Sequence, residues 1–498
     1  MARSRVKAKS TSRRKRVRIE QENVVFEAVL RPEEEGRSLF APNAVLSAET
    51  LDAYRPPVGS AQMAAMQLQE LGFKVRHVGT FSISAEGPRR LWEKVFKTRV
   101  GTRTQLLSEA HPEIGEITYW SHLPETPFTI PEQMAPLIER AYPQWPPTFF
   151  QSPLPPRVKY HHLQVPGDVG MICRSPLVHK HDVTGKGVLV AMPDTGFYKH
   201  PFYAWHGYNY QATLSPDAIR VERDEVGHGT AEAANIFANA PDIDFIGVKM
   251  GANATLAFKT ASDLFPAVMT NSWGYDIRTA PLPNFLKPLE AAVIEAVRDR
   301  GIVVCFSAGN GHFGFPAQMP EVIAVGGVYA KTTLAGNDFA MDASNYASSF
   351  DSPIYPGRHV PDVCGLVGMQ PRGIYIMLPV EPGCQIDTGL AGGAFPNGDE
   401  TAANDAWAVI SGTSASSPQI AGVCALLKQV QPGLSPSLVK AILRASARDV
   451  KTGQSQQGQP AGEGHDGATG AGLVDAHEAY KLARSVVVRD LQTIPPPR

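Results

Sequence analysis

From about Val165 onwards, short runs of almost only apolar residues alternate along the chain with amphipathic segments. The runs “GVLVAMPDTG” and “EVIAVGGV” are typical of buried strands, and Pro288–Gly301 have the spacing of a helix that leads directly into “IVVCFSAGNG”. Strands that are buried on both faces and alternate with helices indicate a parallel sheet with helices on both faces. We therefore predict an α/β fold, with functional residues at the carboxyl ends of the strands.

The residues before this region predict a second, smaller domain over 19–145. Val24–Leu30 have the composition of a strand, and Ser60–Phe73 have a Ser cap, helical apolar spacing and Gly72 as a stop signal. Two alternating segments follow, and then “PRRLWEKVFKTRV” predicts a second helix that runs into another strand. The resulting order β-α-β-β-α-β is that of a small α+β ferredoxin-like domain.

Proline content and charge mark the remaining segments. We predict a Pro-rich linker over 146–164, a main domain over 165–485 and a C-terminal tail over 486–498, with extended chain after about Ala479. Residues 1–18 contain nine Lys or Arg residues and no acidic residue. This composition predicts a solvated, disordered basic tail, with a weak anion-binding or targeting tail as the alternative.

The composition excludes several classes of protein. With 498 residues, 43% of them apolar and 19% charged, the chain is long enough for more than one globular domain. The net charge of −1 makes a nucleic-acid partner improbable, and no apolar stretch of about ten residues follows the basic tail, so neither a secretory signal nor a membrane anchor is predicted. The five cysteines have no CxxC spacing, which favours reduced thiols and a cytoplasmic location.

The segment Ile410–Leu427, “ISGTSASSPQIAGVCALL”, places five hydroxyl side chains around the start of an apolar helix. Ser and Thr cap helix N-termini and Pro418 is tolerated in the first turn, but capping explains only one or two of the five hydroxyls. A serine at a helix N-terminus lies in a positive field that favours a developing anion. Ser414 is therefore a candidate nucleophile, provided that a base and an orienting carboxylate lie elsewhere in the chain.

Two further motifs supply those groups. Asp194 follows an apolar strand in “MPDTG”, and His228 lies between two glycines just before a predicted helix in “VGHGTAEAANIFA”. Taken singly, Asp194 could be an ordinary turn residue and His228 a structural histidine. Together with Ser414 they occur in the order Asp, His, Ser on a predicted parallel sheet, which is the order found in subtilisin.

Seven segments in this order resemble the motifs of subtilisin-family serine proteases, over about Val165–Ala479. They are “VAMPDTGFYKHP”, “GHGTAEA”, “APDIDFIGVKM”, “TNSWG”, “FSAGNG”, “FPAQMPEVIAVGGV” and “SGTSASSPQIAG”. The resemblance implies a subtilisin-like fold and a serine endopeptidase in which Ser414 is the nucleophile, His228 the base and Asp194 the residue that orients it. It also implies that Asn310 donates to the oxyanion and that no cofactor is needed.

The same resemblance implies a peptide or protein substrate, which would add a strand to the edge formed by “SWG”. The substrate-binding residues that it implies are Ser272, Trp273, Gly274, Ser307, Ala308 and Gly309. The alternative is a catalytically quiet peptide-binding module that keeps the cleft without turnover.

Within residues 19–145, “LQELGFKVRHVGTFSISAEGPRRLWEKVFKTRV” resembles the pro-domain of sedolisins, and “FTIPEQMAPLIERAYP” is similar to its end. The resemblance implies an intramolecular pro-domain that blocks the cleft, so that the enzyme is made as an autoinhibited precursor. An unrelated ferredoxin-like module is the alternative.

Three departures from the subtilisin motifs stand out. Ala231 replaces the second His of the usual “HGTH”, and Glu232 follows His228 by four residues, where we expect a solvated helical residue, with a secondary orienting group as the alternative. Phe202 occupies the position of the usual calcium-binding Asp, and the calcium-binding insertion after the helix is missing, so no metal is predicted at that site. The segment that contains Cys384 and “GLAGGAFPNGDETAAND” has no clear counterpart in the family.

Overall fold

The computed structural model describes residues 18–20, 22–41, 50–106, 116–123, 126–145, 155–332 and 339–486. Almost all of the predicted basic tail, the first part of the predicted linker and nearly all of the predicted C-terminal tail therefore lie outside the described residues. The chain divides into two compact units, residues 1–152 and 153–498.

The smaller unit contains a four-stranded antiparallel sheet with the ferredoxin-like strand order. The strands of the whole smaller unit are β1 (Arg18–Glu20), β2 (Asn23–Leu30), β3 (Lys74–Val78), β4 (Ser82–Pro88), β5 (Val100–Leu106), β6 (Glu116–His122) and β7 (Ile138–Pro143). Its helices are α1 (Ser60–Glu70) and α2 (Arg89–Phe96), and Leu51–Tyr54 form a 3-10 turn. The sheet order β3-β4-β2-β7 places the first and third strands of the motif at the centre.

The core of this unit lies against one face of the sheet. Alternate residues of β2 are buried, and Phe26 contacts the rings of Phe73, Trp92 and Phe96 at centroid distances of 5.0, 4.7 and 5.9 Å. The buried, alternate side chains of β2 therefore pack with the apolar faces of α1 and α2 in a single cluster.

One strand of the smaller unit differs from the prediction. The strand after α2, which is β5, does not complete the four-stranded sheet; it pairs with β6 in a separate sheet of order β1-β6-β5. The last strand of the motif is β7, whose Ile138 and Ala141 are buried against β2. The sequence prediction assigned the nearest strand to the sheet, whereas burial of Ile138 selects a later one.

The larger unit is built on a mainly parallel sheet of order β10-β11-β9-β12-β14-β16-β17-β23, in which β20 also pairs with β16. Its strands are β8 (Leu163–Gln164), β9 (Leu189–Asp194), β10 (Asn209–Leu214), β11 (Asp244–Lys249), β12 (Val268–Asn271), β13 (Tyr275–Asp276), β14 (Val303–Ser307), β15 (Gly314–Phe315), β16 (Ile323–Thr332), β17 (Phe339–Ala343), β18 (Phe350–Asp351), β19 (His359–Val360), β20 (Val363–Leu366), β21 (Ile376–Pro379), β22 (Trp407–Ile410) and β23 (Thr452–Gly453). Within this sheet, the neighbouring strands β10, β11, β9, β12, β14 and β16 are parallel, and β17 is antiparallel to β16.

The helices of this unit are α3 (Gly167–Ile172), α4 (Ser175–His179), α5 (Pro201–Trp205), α6 (His228–Asn239), α7 (Ala254–Ser262), α8 (Lys287–Arg298), α9 (Gln385–Leu390), α10 (Thr413–Val430), α11 (Pro436–Ser446) and α12 (Ala476–Ser485), and Asn284–Leu286 form a 3-10 turn. Helices lie on both faces of the sheet, because Val303 and Cys305 of β14 join the core that contains α6 and α10, whereas Val304 and Phe306 join the core that contains α7 and α8. The predicted α/β fold is thus confirmed.

The prediction of extended chain after about Ala479 is wrong. Residues 476–485 form α12, which Asp475 caps by accepting from the backbone N–H groups of His477 and Glu478. Ala479 and Ala483 are buried in the main core, which holds this last helix in place.

Helices α6 and α10 pack closely against each other beneath the carboxyl ends of the strands. A Cβ atom on Gly422 would lie 2.6 Å from the carbonyl oxygen of Ile236, so only glycine permits this approach. His228 is the first residue of α6 and Ser414 is the second residue of α10. The close packing therefore places the N-termini that carry two of the predicted catalytic residues in one rigid pair of helices.

None of the helices in the described residues has the length and apolar character that a membrane span requires.

Candidate active site

Asp194 is the last residue of β9, one of the central strands of the larger sheet. Its side chain is 2% exposed, and its Oδ1 accepts hydrogen bonds from the backbone N–H of Thr195 (2.7 Å) and from His228 Nδ1 (2.8 Å). A buried carboxylate bound to Nδ1 fixes the ring and its tautomer, with the other nitrogen, Nε2, left for chemistry.

His228 is held at the start of α6 by a second buried carboxylate, that of Asp224. Asp224 Oδ1 accepts from the N–H of Gly227 (2.9 Å) and from the hydroxyl of Thr195 (2.8 Å), while Oδ2 accepts from the N–H of Thr230 (2.8 Å). Asp224 thereby binds N–H groups that the helix itself leaves without partners. Asp224 is not among the residues predicted from the sequence, although an acidic residue just before a helix start is a recognisable capping signal.

The electrostatic environment of His228 favours its charged form. Burial opposes the charge, but the Asp194 carboxylate at Nδ1, with smaller contributions from Glu232 and Asp224, raises the pKa of His228 to about 10. The ring is still 24% exposed, so it remains within reach of a bound substrate.

Ser414 lies where the glycine turn meets α10. Its Oγ donates to the carbonyl of Ser272 at 3.3 Å, and the hydroxyl of Ser272 donates to the carbonyl of Ser414 at 2.8 Å. Trp273, the next residue, donates from its indole to the carbonyl of Pro193, which precedes Asp194. Ser414 and Asp194 are thus both tied to one short segment, although no hydrogen bond joins Ser414 to His228 within the described chain.

Asn310 lies beside the turn that carries Ser414. Its Oδ1 accepts from the N–H (2.9 Å) and the hydroxyl (3.2 Å) of Thr413, which leaves Nδ2 as the free donor group. Gly412 has φ +146°, and a Cβ atom there would lie 2.9 Å from Asn310 Nδ2. Gly412 is therefore needed both for the turn and to make room for the amide that the sequence analysis assigned to the oxyanion.

A cleft of about 240 Å³ opens beside Ser414 and Asn310. Of the six predicted substrate-binding residues, Ala308 is fully buried and is not at its surface, whereas the other five line it. The residues that line the cleft are Ser272, Trp273, Gly274, Tyr275, Asp276, Ser307, Gly309, Asn310, His312, Gly314, Thr413 and Ser414. A larger cavity of about 620 Å³, beside α11, contains none of the predicted site residues and is not connected with this chemistry.

A comparison with protein families matches residues 185–472 to the subtilase family, Peptidase_S8, which is more than half of the chain. The chain belongs to the subtilase family. Among curated proteins, it is 28% identical over 297 residues to the serine protease AprX of Bacillus subtilis (strain 168), covering 53% of this chain and 61% of AprX. It is 26% identical over 321 residues to subtilisin Savinase of Lederbergia lenta, covering 62% of this chain and 96% of Savinase.

Two solved structures are similar to this subtilase over about three fifths of its chain. One is Pseudomonas sedolisin, a serine-carboxyl proteinase complexed with two molecules of pseudo-iodotyrostatin. It is 19% identical with a TM-score of 0.45, and the match covers 61% of this chain and 94% of the sedolisin chain. MycP1 with the N-terminal propeptide removed is 20% identical with a TM-score of 0.42 and covers 63% of this chain and 96% of its own. The chain spans less than two thirds of the length of AprX.

The expectation that Glu232 is a solvated residue of the subtilase is wrong. Its side chain is 1% exposed, and its Oε1 lies 3.9 Å from His228 Nε2. Glu232 shares a helical face with His228, as its spacing predicts, but the burial of that face depends on α10 and on other residues far away in the chain.

Residues 381–405, which we call the insert segment, support the loop before His228. The backbone N–H groups of Gln385 and Ile386 donate to the carbonyls of Glu225 and Val226, at 3.0 and 3.1 Å. Glu381 pairs with Arg223 and accepts from the backbone N–H of Asp224. The sequence has no pattern that indicates this role, because each contact joins segments about 160 residues apart.

The other end of the insert segment contacts residues near the start of the larger unit. The hydroxyl of Tyr160 donates to the carbonyl of Asp399 at 3.1 Å, and its ring stacks on Phe395 at 4.8 Å. The backbone N–H of Lys159 donates to the Glu400 carboxylate at 3.1 Å.

At the position where the family resemblance predicts a lost calcium ligand, Phe202 is 2% exposed and packs against Tyr203 and Trp407. In the part of the chain that the structure describes, no group of three or more His, Cys, Asp or Glu side chains is arranged to hold a metal ion. All five cysteines are buried and unpaired.

Proposed function

We propose that this protein is a serine endopeptidase that hydrolyses peptide bonds through Asp194, His228 and Ser414. The observation that carries the proposal is the 2.8 Å hydrogen bond between His228 Nδ1 and the buried Asp194 carboxylate, at the sheet edge to which Ser414 is also tied through Ser272 and Trp273. A base, its orienting carboxylate and a hydroxyl nucleophile are the three parts that acyl transfer needs.

In this proposal, Ser414 Oγ attacks the carbonyl carbon of the scissile bond while His228 Nε2 takes the hydroxyl proton. The oxyanion accepts from Asn310 Nδ2 and from the backbone N–H of Ser414. As the C–N bond breaks, the proton passes from His228 to the leaving amine, and the acyl group remains on Ser414 as an ester. Water then attacks the ester by the same route, which releases the acid and restores the serine.

The bond from Ser414 to the Ser272 carbonyl is compatible with this mechanism. Catalytic hydrogen bonds are often long or absent without substrate and form in the complex. An extended peptide that pairs with Ser272–Gly274 competes for the Ser272 carbonyl, which frees Ser414 Oγ to donate to His228.

A fluorophosphonate probe with peptide mass spectrometry tests the proposal. We expect the wild-type protein to be labelled at Ser414, the Ser414→Ala variant to be unlabelled, and the exposed Ser437→Ala variant to be labelled like wild type. Peptidase activity should fall at least 10⁴-fold in Ser414→Ala, since loss of the nucleophile in subtilisin itself lowers kcat about 10⁶-fold. Peptide binding without labelling in the wild type would favour the quiet binding module instead.

The proposal includes an autoinhibited precursor, in which residues 19–145 form the pro-domain and residues near 140–157 occlude the cleft. Its support is the resemblance of two segments to sedolisin pro-domains and the Pro-rich composition of the linker, since proline favours the extended backbone that such clefts bind. A tethered inhibitor acts at a high effective concentration, so modest contacts suffice.

The cytoplasmic location also stays a prediction, which fractionation of the producing cells would test.

A further inference from the structure

Glu232 is a buried carboxylate beside the catalytic histidine that the triad mechanism does not use. It lies on α6 one turn after His228, and its Oε1 is 3.9 Å from His228 Nε2, the nitrogen that exchanges protons with Ser414. Buried carboxylates are costly unless they are paired or hydrogen-bonded, so its position needs an explanation.

The carboxylate is held in place from two neighbouring elements. Glu232 Oε2 accepts from Asn235 Nδ2 at 3.0 Å, and Asn235 Oδ1 accepts in turn from Gln419 on α10 at 3.2 Å. Gln419 also exchanges hydrogen bonds with the backbone of Leu366 in β20, at 2.7 and 3.1 Å. Oε2 is thus fixed by a buried network, whereas the nearest charged partner of Oε1 is the imidazole.

Charged and titratable groups on several elements face the pair, and one of them is Tyr203 on α5, which donates to the carbonyl of Thr230 and whose pKa is raised by burial and by nearby charges that include Glu232. Asp194 at the end of β9, Asp224 in the loop before α6 and Glu232 all favour the charged imidazole. Tyr346 also senses the charge of Glu232, and its hydroxyl bonds to Ser411. Burial, together with the neighbouring Asp194 carboxylate, raises the pKa of Glu232 to about 8 against the attraction of His228 and the bond from Asn235.

We propose that Glu232 is a positioning residue that holds the proton on His228 Nε2, and thereby sets the pH above which the enzyme becomes active. The proposal rests on the proposed function of His228 as the general base. An ion pair between Glu232 and the imidazolium competes with the neutral imidazole that catalysis requires, and the two groups titrate as a coupled pair. A nearby carboxylate stabilises the charged ring, so its removal lowers the pKa of His228.

The test is Glu232→Gln, which is isosteric and keeps an oxygen that accepts from Asn235. The activity kcat/KM falls as the pH falls through the pKa of the base, because the protonated ring takes no proton. We expect the acid limb of the profile to move at least half a pH unit lower in Glu232→Gln. At a pH on that limb, the variant should then be about three times more active than wild type.

Two further variants separate this role from a structural one. Glu232→Asp keeps the charge but withdraws it from the ring, and its acid limb should lie between those of wild type and Glu232→Gln. Glu295→Gln, which removes an exposed carboxylate on α8, should leave the profile unchanged. A purely structural role would lower the activity at all pH values without moving the limb.

Nuclear magnetic resonance distinguishes this proposal from the proposed function. In ¹⁵N-histidine-labelled Ser414→Ala protein, the His228 signals, assigned by their loss in His228→Asn, should titrate at least half a unit lower when Glu232→Gln is added. This readout needs no catalysis, so it tests the pair even if the protein is not a peptidase. An unchanged His228 titration, or an acid limb that moves less than about 0.2 units, would overturn the proposal. If Glu232→Gln does not fold, the Glu232→Asp titration decides in the same way.

Discussion

At the residue scale, the side chain of Asn310 is an amide that its neighbours hold in one orientation. Both donors of Thr413 bind its Oδ1, so the amide cannot flip without losing two hydrogen bonds, and Gly412 leaves open the space in front of Nδ2. A donor that is fixed before the reaction stabilises developing charge without reorganisation.

We therefore expect Asn310→Ala to lower kcat and to leave KM nearly unchanged, because the amide binds the oxyanion and not the ground-state carbonyl. The loss of one such donor in subtilisin itself amounts to about 10²–10³ in kcat, and we expect the same order here. Steady-state kinetics on a peptide substrate measure it, with Asn284→Ala on the surface of a 3-10 turn as the control. A rise in KM at constant kcat would instead assign Asn310 to substrate binding.

At the element scale, the close approach of α6 to α10 joins the two helices that carry the proposed base and the proposed nucleophile. The two helices touch at Gly422, where a Cβ atom would meet the backbone carbonyl of Ile236 at 2.6 Å and Cβ of Asn239 at 2.9 Å. A substitution there must separate the helices, and their N-termini carry His228 and Ser414.

Gly422→Ala should destabilise the larger unit by about 1–3 kcal/mol, as overpacking usually does. It should lower kcat by a larger factor than any change in KM. The midpoint of urea unfolding in the Ser414→Ala background measures the stability without autolysis. Gly389→Ala is the matched control, since it lies in α9 with nothing within 4 Å of the added methyl group, and it should be neutral or slightly stabilising. Equal midpoints for the two variants would show that α6 and α10 adjust freely.

The sequence predicted the elements whose pattern is local. The apolar runs of β9, β14 and β16 followed from composition and spacing, whereas the choice of Asp194, His228 and Ser414 as a set rested on their order along the chain and on the resemblance of their motifs to those of subtilisins. Three features could not be predicted, because each depends on distant residues: the burial of Glu232 beside α10, the support of the His228 loop by the insert segment, and the choice of β7 over β5.

At the scale of the whole molecule, the question is whether the smaller unit controls the larger one. A recognition sequence for a site-specific protease, placed within residues 146–154 of the full-length protein, allows the same preparation to be assayed before and after the cut. We expect turnover of a peptide substrate to rise after cleavage, since the inhibitor loses its tether and its high effective concentration.

Circular dichroism before and after the cut confirms that both forms are folded, and full-length protein without the inserted sequence, treated with the same protease, is the control. Equal turnover before and after cleavage, with the two fragments separated, would show that residues 19–145 do not inhibit.

The anchoring of Lys159 and Tyr160 on the insert segment has a consequence for the life of the enzyme after such a cut. Both residues lie in the linker after the site of the cut, so cleavage within 146–154 removes neither of their bonds to Asp399 and Glu400. After the cut, Lys159 and Tyr160 would lie close to the new N-terminus and would still bind the insert segment. The insert segment is also the part of the chain that supports the loop before His228. Maturation would thus leave Lys159 and Tyr160 bound to the insert segment, close behind the new chain end.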